Sequence, residues 1–222
     1  MREPRSREGG QEEEEPRLAR GMTRWPQAIV LVVLGIIYAT LLEDLLPGPS
    51  FLPIVFVAAL LGPLFYAELR GYYHLSRLLG LGLISLATIA IGAIVLDYVA
   101  PLGSKPPPEL LFSQAFIIWI ANILTFAIWY WEIDSGGPER RKRITSSYQS
   151  EDFLFPQMSQ DQGNAANWSP GLLDYIFLAF NQSAAFSPTD TAVLSRRAKI
   201  LTMSQTSISL LIIVVLASRA LS

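Results

Sequence analysis

Asp174 is followed, within one short stretch, by Asn181, Gln182, Ser183, Thr189 and Asp190. Carboxylates, amides and hydroxyls at this density can coordinate a cation, bind a ligand or line a watery path. They can equally well build a bend, because Ser, Pro, Thr and Asp are turn formers. Ser187, Pro188 and Asp190 have the order of a helix start, with Ser187 as N-cap, Pro188 first and Asp190 third. Covalent and metal chemistry find little to work with. The chain has no cysteine and one histidine, His74, which sits in the polar turn GYYHLSR and has no second histidine to complete a metal site. The G-x-S-x-G, H-E-x-x-H and phosphate-loop patterns do not occur. Glu132 and Asp134 in WYWEIDSGG precede Gly-Gly and read as an interfacial cap and turn. The expectation is a protein that is not an enzyme and has no metal or cofactor.

A second polar set lies inside apolar runs. Asn122 and Thr125 share one helical face with Trp129 and Glu132, and Thr202, Gln205 and Ser209 form a similar stripe. Polar groups at such positions face other helices or a cavity. Packing between helices and a water-lined path are both open readings. Gly80, Gly82 and Gly92 favour close helix contact. Asp174 either caps the segment it begins or pairs with Arg196 or Arg197.

The elements that position these residues belong to a membrane. Hydrophobic residues make up 51% of the chain and charged residues 16%, with a mean hydropathy of +0.35. A soluble domain carries about a quarter charged residues. The apolar residues are bunched into runs at 27–46, 51–69, 78–99, 110–131 and 198–217. Each approaches the ~20 residues that cross ~30 Å of hydrocarbon, and in lipid such runs are helices. The stretch GLLDYIFLAFNQSAAF, 171–186, is apolar but reaches only about 24 Å as a helix, too short for an ordinary span. The fold expected is all-α, a polytopic helical bundle with five spans and a short re-entrant half-helix over 172–181; six spans is the alternative. Residues 1–24 read as a disordered charged tail, 25–131 as a four-helix transmembrane region, 132–170 as a cytoplasmic loop with one sticky patch, FLFPQ, and 171–222 as the re-entrant hairpin and last span.

Basic residues collect on the cytoplasmic side of membrane proteins. With a cytoplasmic N-terminus and a re-entrant hairpin, Arg17, Arg20, Arg24, Arg70, Arg77, Arg140, Arg141, Lys142, Arg143, Arg196, Arg197 and Lys199 fall inside, and Lys105 and Arg219 outside. A spanning segment at 171–186 would move Arg196, Arg197 and Lys199 outside. Near-neutral charge, −2, leaves no basic surface for nucleic acid.

Three segments, FAIWYWEIDSGGPERR (126–141), DFLFPQ (152–157) and DYIFLAFNQSAAFSPTDTAVLSRRAK (174–199), together resemble an uncharacterised family of bacterial multi-pass inner-membrane proteins with a W-x-P, D-Y, A-F-S-P-T-D-T and R-A-K pattern. The resemblance implies a bacterial inner-membrane location and no particular activity. The layout of short segment, polar bend and final span is also similar to potassium-channel pore modules, although AAFSPTD stands where their T-V-G-Y-G filter would be. An ion-channel-like or transport-related pore follows as the functional expectation, built as a homo-oligomer in the bilayer and passing an ion. The alternative is a non-conducting membrane scaffold or interaction protein.

Overall fold

A computed structural model describes residues 25–43, 49, 51–70, 72–99, 108–141, 151–159, 168–184 and 190–220. The expected tail, Lys105, Lys142, Arg143 and Thr189 lie outside them, as do Ser187 and Pro188. The apolar runs fold as helices: α1 Trp25–Glu43, α2 Leu52–Leu69, α3 Tyr73–Val99, α4 Pro108–Ile133 and, at the end of the chain, α7 Arg196–Ala220. Between α4 and α7 come a 3-10 turn Asp134–Gly136, the short helix α5 Pro138–Arg141, the strand β1 Phe153–Leu154, a 3-10 turn Pro156–Ser159, the helix α6 Leu172–Ala184 and the strand β2 Ala192–Val193. Among the described residues, three helical stretches are long and apolar enough to cross a membrane: His74–Leu96, Phe112–Gly136 and Arg196–Ala217. The apolar portions of α1 and α2 found there, Gln27–Thr40 and Val57–Ala67, are shorter.

Helix α4 is the axis of the molecule. Half of its apolar window is buried, against 22% for α3 and 28% for α7. It packs on α1, α3, α6 and α7, while α2 lies against α1 and α3. Large apolar side chains on α3 and α7, among them Ile89, Leu96, Leu210 and Val214, are exposed, as expected of a lipid-facing surface. Gly35 meets α2 at close range: a Cβ there would lie 2.5 Å from Val57 Cγ1.

One end of the bundle gathers the N-termini of α1, α3, α6 and α7 with the C-terminus of α4. Gln27 Nε2 at the start of α1 donates to Glu132 Oε1 (2.7 Å), and Arg77 Nε near the start of α3 lies 3.9 Å from Glu132 Oε2. Arg197 Nη2 donates to the carbonyl of Ile133 (3.1 Å). Arg70, which follows α2, is joined to α3 by a short turn and so belongs to the same end.

Helix α6 runs from that end inward. Tyr175, one turn from its start, touches Trp131 and Asp134, whereas Phe180 stacks edge-on against Trp119 with centroids 5.7 Å apart. Trp119 is about 22 Å along α4 from Asp134 at ~1.5 Å per residue. The chain then comes back: β2 pairs antiparallel with β1, Phe153 opposite Val193, and the amide of Leu194 donates to the carbonyl of Asp152 (2.9 Å). Both ends of the stretch from Gly171 to Leu194 therefore sit at the same end of α4.

Two expected boundaries are corrected. Gln182 and Ser183 are helical, because α6 continues to Ala184, about one turn beyond the expected half-helix. That turn is held from outside: Gln205 Nε2 donates to the Ala179 carbonyl and to Ser183 Oγ, each at 2.8 Å. The last helix does not start at Ser187, and Asp190 is not in its first turn. Ala192 and Val193 pair as strand instead, and Ser195 is the N-cap, its Oγ accepting from the Ala198 amide (3.1 Å).

Candidate functional site

The 3-10 turn after α4 anchors a buried polar network. Gly136 and Gly137 adopt φ of 81° and 101°, and Ser135 also has positive φ, 53°, a conformation costly for a residue with a Cβ. Ser135 is held there because its amide donates to Asp152 Oδ2 (3.1 Å). Asp134, fully buried, accepts from the amides of Asp152 (2.9 Å) and Phe153 (3.4 Å) through Oδ1 and from the Tyr175 hydroxyl (2.5 Å) through Oδ2. One carboxylate thus ties α4, β1 and α6 together.

Two arginines complete this network. Arg141 Nη1 donates to the carbonyls of Trp131 (2.8 Å) and Asp134 (2.7 Å), capping the end of α4, and its guanidinium lies over the rings of Trp131 (4.7 Å) and Tyr175 (5.3 Å). It also stands 4.0 Å from Asp134 Oδ2. Arg197 grips Asp152 with two parallel bonds, Nε to Oδ1 (2.7 Å) and Nη2 to Oδ2 (2.6 Å), which pins the start of α7 to the strand pair. Phe153, Phe155, Trp168 and Tyr175 pack ring to ring beneath it. The FLFPQ patch is therefore docked, with Phe153 and Phe155 buried. Glu151 beside it has a raised pKa, from burial first and then from the nearby Asp134 carboxylate.

Deeper in the bundle the two polar stripes meet. Asn122 Nδ2 donates to Ser209 Oγ (2.8 Å). Gln205 accepts from the Tyr130 hydroxyl while its amide holds α6, so one side chain joins α4, α6 and α7. The Thr206 hydroxyl donates to the carbonyl of Gln182 (3.3 Å). Asn122, Thr125, Gln205 and Ser209 are fully buried and Thr202 nearly so; Asn122 Oδ1 has no hydrogen-bond partner.

The candidates read from the sequence separate into groups. Asp174 caps its own helix, Oδ2 accepting from the Gly171 amide (2.6 Å), and Arg197 pairs with Asp152 rather than with Asp174. Ser183 is buried against Gln205; Asn181 and Gln182 are half-buried at the inner end of α6; Asp190 is exposed at the bend before β2. Asn122, Gln205 and Ser209 are brought together, and Thr202 instead bonds back to the Lys199 carbonyl (3.0 Å). Sequence reasoning missed Asp134, Asp152, Arg141 and Arg197 as a cooperating set. All four lie in the segments 126–141, 152–157 and 174–199. No group of three or more metal-ligating side chains forms among the described residues.

Comparison with protein-family models, curated proteins and solved structures yields no match to this chain.

Proposed function

We propose that the protein is a five-span membrane protein with α6 as a re-entrant half-helix, N-terminus on the cytoplasmic side of a bacterial inner membrane, working as a non-conducting scaffold. Support for the re-entrant path comes from Gly171 and Leu194 both lying at one end of α4. Arg70, Arg77, Arg140, Arg141, Arg196, Arg197 and Lys199 all belong to that end, which supports a cytoplasmic placement for it. A cysteine placed at Thr191 should then be labelled from the cytoplasmic side; labelling from outside would restore the six-span alternative.

The single observation that carries the scaffold reading is Gln205. A path for ions needs polar groups left free to replace hydration. Instead Gln205 uses both its oxygen and its nitrogen on Tyr130, Ala179 and Ser183 of the same chain. The rigid cytoplasmic network would present the basic end to a partner. Folded protein in liposomes should carry no ion current.

One observation favours the pore as second reading. Asn181 and Gln182 are half-buried at the inner end of α6, at a depth where exposed amides call for water or another subunit. In that case a symmetric oligomer would surround the α6 tips, and ion flux would change on Gln182→Ala while Asp174→Asn, a helix-cap change, would leave it alone.

A further inference from the structure

Helices α1, α2 and α3 leave a slot of about 240 Å³ between them, bordered by Leu34, Gly35, Tyr38, Val57, Leu61 and Ala87. Among the described residues its lining is apolar apart from Tyr38, and the Tyr38 hydroxyl already donates to the Ala87 carbonyl (2.8 Å). A polar ligand would lose its water there without gaining partners, so hydrocarbon is the chemistry that fits. The volume exceeds the ~150 Å³ apolar cavity that suffices to bind benzene. Close packing marks the two edges. Gly35 admits Val57 on one side, and toward the basic end Leu64 and Ala67 are buried, with Leu64 against Gly80. Leu83, Leu86 and Ala90 belong to the middle of the long apolar stretch His74–Leu96, so the slot lies in the depth of the bilayer that holds lipid tails. Leu86 on its rim is 46% exposed, which leaves the slot open sideways.

We propose that this slot is a binding site for one acyl chain of a bilayer phospholipid. The inference rests on the membrane reading given above and adds a specific, saturable lipid site to it. Interdigitated tails elsewhere on the surface would exchange freely; a chain lodged among three helices would be retained. It would also explain how packing this open persists in a bundle whose other side is tightly bonded, because the lipid supplies the missing contacts.

The test uses the full chain reconstituted with a phospholipid bearing a photoactivatable diazirine at mid-acyl chain. Cross-links mapped by mass spectrometry should concentrate on residues 31–38, 57–61 and 83–90 and compete away with excess unlabelled phospholipid. Labelling spread evenly over exposed positions such as Leu210 and Val214, without competition, overturns the site but leaves the membrane reading standing. Absence of any labelling overturns both. As an independent arm, native mass spectrometry should find one phospholipid retained per wild-type chain, and about tenfold less retention in Ala87→Leu/Ala90→Leu, which fills the slot. Equal retention by a folded double variant also overturns the site. Should that variant fail to fold, Leu60→Ala, which enlarges the slot, replaces it: retention must shift toward longer acyl chains, and an unchanged chain preference counts against the proposal.

Discussion

The α4–α6–α7 side of the bundle is tied by side-chain hydrogen bonds running between helices, whereas the α1–α2–α3 side is held mainly by the shapes of apolar side chains. On the first side Gln205 joins three helices, and Asp134 joins α4, α6 and β1. On the second, the tie between α1 and α3 seen among the described residues is Tyr38 to the Ala87 carbonyl. Lipid tails are as apolar as leucine, so apolar helices gain little by leaving lipid for one another. Position must then come from polar bonds or from close-fitting surfaces. Where polar bonds are dense, the geometry is fixed and α6 can end inside the bundle. Where they are sparse, the fit is looser and a slot remains.

Asp134→Ala is the change expected to break this contrast most severely. It strands the Tyr175 hydroxyl, two amides and the buried Arg141 guanidinium, and removal of one member of a buried pair costs ~3–5 kcal/mol. Thermal unfolding in detergent should show the loss, together with new protease sensitivity in 151–159. Gln205→Leu comes next. Membrane hydrogen bonds average ~0.6 kcal/mol, so loss of three, with partners left unsatisfied, should cost about 2 kcal/mol. Proteolytic access to the α6 tip should rise in parallel.

Tyr38→Phe supplies the comparison from the other side. It removes one hydrogen bond and keeps the ring, so a loss of about 0.6 kcal/mol is expected by the same unfolding measurement. A loss as large as that of Gln205→Leu would mean that the two sides are held in the same way, and the contrast would be gone.

How much of this could be read from the chain follows from the range of each interaction. The helices of the apolar runs and the stripe Thr202, Gln205, Ser209 were legible because composition and helical periodicity are local properties. That 171–186 forms a helix too short for an ordinary span was legible from its length, although the last turn of α6 was not, since that turn depends on Gln205, which is far along the chain. The start of α7 was misread for a related reason. Ser187, Pro188 and Asp190 carry a helix-start pattern, but a distant strand, Phe153–Leu154, takes Ala192–Val193 and moves the cap to Ser195. Asp134 read as a turn residue, and that part was sound; its partners at Asp152 and Tyr175 are set by tertiary packing, which spacing alone does not encode.

The smallest effect tests whether the network around Asp134 and Asp152 is as enclosed as its bonds imply. Glu151 Oε2 is buried without a hydrogen bond, and burial together with Asp134 raises its pKa above the usual carboxylate value. A folded state that holds a proton more tightly than the unfolded chain loses stability as pH rises. The Glu151 contribution is therefore complete below the unfolded value, ~4.3, and disappears as pH climbs through the higher folded value. Glu151→Gln keeps the shape of the protonated acid at every pH. The variant should match wild type at the acid end and melt slightly higher at neutral pH, and the difference between the two curves should open across that window. The carboxylates remote from Glu151 are common to both proteins, and their titration cancels in this difference. Parallel curves would mean that water reaches Glu151, and that the network is open at the edge where residue 151 enters it.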